Sequence, residues 1–183
     1  MKKIVITASP SKLSFTNKIA ERIKEKSKDE IFVIDLYDKE NELEFLSFQN
    51  VKKDFPIDDK IKKYQKMVSE ADELIFVFPL WNFGEPAILK NFYDRVFTSH
   101  FAFKYVNGKS IGLLKGKTAR FYITCDANKA HYIFLGNHLK FIWKYGRIRS
   151  CGIKMKNFTY FDKMRIRSDE ERNKFLEIVE KDL

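Results

Sequence analysis

The chain has 183 residues, 33% of them charged, with lysine and arginine exceeding aspartate and glutamate by ten. This length suits one compact domain that buries roughly 70% of the surface its unfolded form exposes. Cys125 and Cys151 lie far apart without metal-ligand or redox spacing, so neither a disulfide framework nor an oxidising compartment is implied. The apolar run after Met1 is too short for a signal peptide or a membrane span, so a cytoplasmic protein without membrane insertion is expected. The basic excess is local, because residues 139 to 167 hold nine basic side chains and Asp162 as their one acid. Such a stretch attracts nucleic acid, anionic lipid or a phosphorylated small molecule alike. No recognition motif accompanies it, so no nucleic-acid partner is expected. His131 and His138 lack a third ligand at suitable spacing, and no metal site is expected.

Short continuous apolar runs alternate with stretches of helical period along the chain. KIVITA (3 to 8) reads as a first strand, and residues 15 to 27 as a helix with Phe15, Ile19 and Ile23 on one face. IFVIDL (31 to 36) is a second strand, and the segment from Tyr37 to Ile57 a long polar connection. Asp58 caps a helix carrying Ile61, Tyr64, Val68 and Ala71, and ELIFVF (73 to 78) is the most buried strand. Pro79 stops that strand and Pro86 opens a helix with Ile88, Phe92 and Val96 in register. Gly108, Gly112 and Gly116 punctuate a basic connection to a fourth strand, Thr118 to Thr124. A helix follows from about Tyr132 to Tyr145, broken by Gly146, then a fifth strand over 151 to 159. Ser168 and Glu171 have capping-box spacing for a last helix carrying Phe175, Ile178 and Val179.

Five strands alternating with five helices predict a three-layer α/β sandwich, a five-stranded parallel sheet with helices on both faces, as one domain over residues 1 to 183. Ligands of such sheets bind beyond the carboxyl ends of the strands. Three loops lie there. Ser9 to Asn17 joins a strand to a helix amino terminus, where free N–H groups favour an anion, and Ser9, Ser14, Thr16 and Asn17 add side-chain donors. From this loop alone, simple helix capping by Ser14 or Thr16 is the favoured reading, because such caps are common. Neither a dinucleotide fingerprint nor a Walker lysine occurs. The second loop, Pro79 to Gly84, sets Trp81 and Phe83 where a connection is usually polar, which suits a flat heteroaromatic ligand, a core plug or a subunit contact equally. After the third loop, Thr124 to Ala127, come Tyr132 and His138, which read from pattern alone as one core tyrosine and one surface histidine of a helix, and otherwise as a phenol and an imidazole able to stabilise negative charge and move a proton.

The runs KIVITASP, SFTN, FVFPLWNFGEPAILKNFYDRVF, FAFKY, LLKGKTA and CGIK together resemble the flavodoxin-like NAD(P)H:quinone oxidoreductases, a group with modulator-of-drug-activity B proteins, potassium-efflux ancillary subunits and azoreductases. The resemblance covers most of the chain and implies an oxidoreductase passing hydride from NAD(P)H through FMN, or FAD, to quinones, azo or nitro compounds. A flavin-binding regulatory subunit of a potassium-efflux system is the alternative it implies. It assigns Ser9, Ser14, Phe15, Thr16 and Asn17 to the flavin phosphate and Pro79, Leu80, Trp81, Asn82 and Phe83 to the ring. It sets Thr124, Cys125 and Asp126 at the pyrimidine edge and gives Tyr132 and His138 catalytic roles. It also implies a homodimer with the site at the subunit interface. Asp126-Ala127 departs from the glycine-rich turn of many relatives. Lys104, Lys109 and Arg147 are expected candidates for steering a phosphorylated nicotinamide.

Overall fold

The structure is a computed structural model that describes residues 1 to 47 and 56 to 183. Its main sheet is built from β1 (Lys2–Thr7), β2 (Glu30–Asp35), β3 (Glu73–Pro79), β6 (Thr118–Thr124) and two short pieces, β7 (Lys154–Met155) and β8 (Thr159–Phe161). The order is β2-β1-β3-β6-β7, with β8 also beside β6, and every pairing is parallel. The strand order reverses at β1, which opens a crevice between the carboxyl ends of β1 and β3.

Side-chain alternation explains the layers. Val5, Ile75 and Val77 face a cluster supplied by α1 (Phe15–Lys26) and α6 (Asp169–Lys181), with Ile19, Ile23, Phe175 and Val179. Ile4, Ile6, Phe76 and Phe78 face the opposite cluster from α2 (Asp59–Glu70) and α3 (Ala87–Val96), with Ile61, Val68, Leu89 and Phe92. Buried on both faces, β3 has no polar side to give, and its sequence is accordingly a continuous apolar run after Glu73. The expected caps form: Ser14 accepts from Asn17 N, Asp58 from Ile61 N, and Ser168 and Glu171 complete a reciprocal box.

Three expectations change. The basic connection after α3 contains a hairpin, β4 (Phe103–Val106) and β5 (Lys109–Gly112), joined by Asn107 and Gly108 at φ 50° and 75°. Asn-Gly is the sequence signal for such a turn. The helix expected from Tyr132 to Tyr145 is two: α4 (Lys129–Phe134) ends at Gly136 and Asn137, with φ 82° and 50°, and α5 (His138–Phe141) starts anew. It runs on as a π-helical stretch, Ile142–Ile148, through Gly146, because one glycine weakens a helix without breaking it. The fifth strand therefore begins late and is interrupted, and Asn157 Oδ1 accepts from Phe121 N (3.1 Å) in the gap. In the polar connection after Tyr37, Lys39–Asn41 is one 3-10 turn, and residues 48 to 55 lie outside the described residues. No helix among the described residues is long and apolar enough to cross a membrane.

Candidate functional site

The first loop is folded around the Ser11 carbonyl, which accepts from Ser14 N (3.1 Å) and Asn17 Nδ2 (2.9 Å). Ser9 and Ser14 share a hydroxyl hydrogen bond (2.7 Å), and Thr7 Oγ1 donates to Asn17 Oδ1 (3.1 Å). The side chains of Ser9, Ser14 and Asn17 thus shape the loop. The Phe15 ring is in the core, 4.8 Å from Phe161 and 6.3 Å from Phe175, and only its backbone can face the crevice. What the loop offers an anion is the first turn of α1, where the N–H groups of Phe15 and Thr16 have no intrahelical acceptor.

The second loop is tied to its neighbours at the strand ends: Ala8 N donates to Val77 O (3.1 Å) and Leu80 N to Thr124 O (2.8 Å). Trp81 and Gly84 then exchange two backbone hydrogen bonds, 2.9 and 2.8 Å, closing a turn with Asn82 and Phe83 at φ 46° and 65°. A left-handed phenylalanine is uncommon and costs on the order of 1–3 kcal/mol, so its surroundings must hold it. Leu80 is buried, whereas Trp81 and Phe83 are 45% and 53% exposed. Phe83 meets Tyr132 edge-on at 5.3 Å and His131 at 5.9 Å.

Glu85 follows this turn and receives Arg147 from the π-helical stretch, Nη2 to Oε1 2.6 Å, with both side chains nearly buried. The guanidinium lies 4.5 Å from the Trp143 ring centroid and 5.4 Å from that of Tyr93. Arg147 is therefore committed to the loop and does not steer a nucleotide. This pair has no sequence signal, because neither residue type nor local spacing links the two.

At the third loop, Thr124 Oγ1 meets Thr16 Oγ1 at 2.7 Å in a buried contact, joining this loop to the first. Cys125 turns into the core, its N–H donating to Phe161 O (2.9 Å), and burial pushes its thiol up to about 12. Its side chain does not reach the crevice. Asp126 is exposed and paired with Arg165 (3.0 Å), which offsets its negative charge. Tyr132 and His138, on separate helices, line one small hollow with Leu80, Phe83 and Tyr160. Tyr132 stacks on Tyr160 at 5.9 Å, and burial raises its phenol above the usual value, with Cys125 and Asp126 adding to the effect. It is a proton-bearing donor at neutral pH.

A family profile described as flavodoxin-like fold matches residues 1–183. The chain belongs to the flavodoxin-like family. An uncharacterized NAD(P)H oxidoreductase of Haemophilus influenzae is 33% identical over 187 residues, spanning 98% of this chain and 92% of that one. An FMN-dependent NADH:quinone oxidoreductase of Caldicellulosiruptor bescii is 39% identical over 97 residues, 50% of this chain and 47% of its own length. A solved protein of Streptococcus mutans superposes with a TM-score of 0.83 at 29% identity, covering 99% of this chain and 97% of that one.

The donor set of this flavodoxin-like chain fits FMN. A helix amino terminus suits the phosphate, the Trp81 and Phe83 rings suit a planar ring system, and the backbone of Thr124 to Asp126 borders the same strand ends. A hollow of about 620 Å³ lies elsewhere, lined by α3, the β4–β5 hairpin and the π-helical stretch, and contains none of the loop residues named above.

Proposed function

We propose that this protein is a flavin-dependent NAD(P)H oxidoreductase acting on quinones or related azo or nitro acceptors. The observation that carries the reading is the joining of three strand-end loops, through Thr16 to Thr124, Leu80 to Thr124 and Ala8 to Val77, beside two exposed rings. Bound there, FMN supplies the two-electron carrier between NAD(P)H and the acceptor. The first-turn N–H groups of α1 hold its phosphate. Trp81, Asn82 and Phe83, with Pro79 and Leu80 beneath them, fix the plane of the ring and keep water from it. Tyr132 donates a hydrogen bond to negative charge that develops in the hollow, and His138 moves a proton at its edge.

The protein acts as a homodimer in this reading. The exposure of Trp81 and Phe83, and of Tyr105 on the hairpin at 68%, supports a second subunit over the site. Purified protein reconstituted with FMN tests the reading. NADH or NADPH should bleach the flavin absorbance without oxygen, and a quinone should restore it. A reconstituted flavoprotein that neither nucleotide bleaches would end it.

A further inference from the structure

The break at Gly136 and Asn137 sets a second hollow beside the one lined by Tyr132 and His138, and Asn137 lines both. This second hollow, about 200 Å³, is lined by Gly136, Asn137, Lys140, Phe141, Lys144 and Tyr145. Lys140 and Lys144 are about one helical turn apart, as are Phe141 and Tyr145, so α5 and the π-helical stretch that continues it present two cations and two rings to one space. The rings sit 5.0 Å apart at 48° and are 62% and 41% exposed. Lys144 Nζ lies 5.0 Å from the Tyr145 centroid.

These lysines, like Arg149, Lys154 and Lys163, stand apart from the four paired cations of the basic stretch, and they alone of the unpaired ones line this hollow. Arg147, Lys156, Arg165 and Arg167 are each paired, with Glu85, Glu73, Asp126 and Asp162. Lys140 and Lys144 have no carboxylate partner among the described residues, and the sequence between Asp126 and Asp162 contains no acid to supply a local one. Unpaired cations flanking exposed rings next to a redox pocket suit a ligand with both a phosphate and a flat base.

The geometry points to this hollow as the seat of the adenosine 2′-phosphate of NADPH, making the donor site selective for the phosphorylated nicotinamide dinucleotide. The inference rests on the reductase reading and adds the donor's identity to it. The adenine lies against Phe141 and Tyr145, the 2′-phosphate between Lys140 and Lys144, and the nicotinamide end runs past Asn137 towards Tyr132.

The test uses the FMN-reconstituted full chain, wild type and Lys140→Ala/Lys144→Ala. Binding of adenosine 2′,5′-bisphosphate, 5′-AMP and inorganic phosphate is measured by calorimetry, and flavin bleaching by NADPH and NADH in single turnovers. The double variant should weaken the bisphosphate and lower kcat/KM for NADPH, each by about tenfold or more, while 5′-AMP and NADH change less than about twofold. Equal use of NADPH and NADH by the wild type, or parallel losses for both, would overturn it. So would inorganic phosphate binding as tightly as the bisphosphate, which would mark a generic anion site. If neither nucleotide bleaches the flavin, the reductase reading fails, and the lysine dependence of bisphosphate binding still decides the site.

Discussion

Thr16 and Thr124 face each other across the candidate site, their hydroxyl oxygens 2.7 Å apart and sealed from solvent. One belongs to the first turn of α1 and the other is the last residue of β6, so this bond fixes the distance between the first and third strand-end loops. Replacing either by valine keeps shape but strands the remaining hydroxyl in a dry place, at a cost of about 1–3 kcal/mol. Replacing both removes donor and acceptor together. In a double-mutant cycle by urea unfolding, Thr16→Val/Thr124→Val should lose less stability than the sum of the single variants, and strict additivity would count against the coupling.

Arg147 and Glu85 hold the turn that carries Trp81 and Phe83. Breaking a nearly buried ion pair leaves one charge without compensation, typically about 3–5 kcal/mol. Arg147→Met should destabilise the protein by about this amount, whereas Glu85→Gln/Arg147→Met should recover part of it. In the proposed site the strained turn would stand against the flavin ring, so the single variant should also change the visible circular dichroism of bound FMN. An unchanged spectrum would confine the pair to stability.

Tyr132 is raised by burial and keeps its proton at neutral pH. Tyr132→Phe retains the edge-on contact with Phe83 and the stack on Tyr160, and removes only the O–H. Single-turnover bleaching should slow by about tenfold or more, within the range typical of such groups, with FMN affinity unchanged. Equal rates would remove Tyr132 from the mechanism.

At the amino end of β3, away from the strand-end loops, Glu73 is 0% exposed and contacts Arg120 (2.9 Å) and Lys156 (2.8 Å). Burial alone would raise its carboxyl, but the hydrogen bonds from Lys156 and Arg120 outweigh it and the folded value is lowered. A carboxyl depressed by folding contributes stability above the unfolded value, about 4.3, and loses it as pH falls through the folded one. Glu73→Gln should flatten the decline in urea-unfolding free energy below about pH 4.5, and an unchanged acid limb would contradict this role.

Much of this was legible in the sequence because it rests on local pattern. The continuous apolar run of β3, the caps at Ser14, Asp58 and Ser168, and the proline before α3 each act within a few residues. The hairpin was legible too, in Asn107-Gly108, but the glycine count around it suggested only a connection. The register of α4 and α5 was not, since it turns on Asn137 adopting a left-handed backbone that a helical period does not reveal. In the site, loop membership was readable and side-chain direction was not. Phe15 and Cys125 lie in loops that meet at the strand ends, yet burial draws both side chains into the core. The Glu85 to Arg147 pair arises only from tertiary packing.

In the proposed reading the three loop tips form one site for a phosphorylated flavin. Parallel titrations of apoprotein with FMN and with riboflavin, followed by flavin fluorescence, test it directly. One FMN should bind per chain, riboflavin should bind at least about tenfold more weakly for want of the phosphate, and Trp81→Ala should weaken both flavins alike. Equal affinity for the two flavins, or FMN binding indifferent to Trp81, would contradict it.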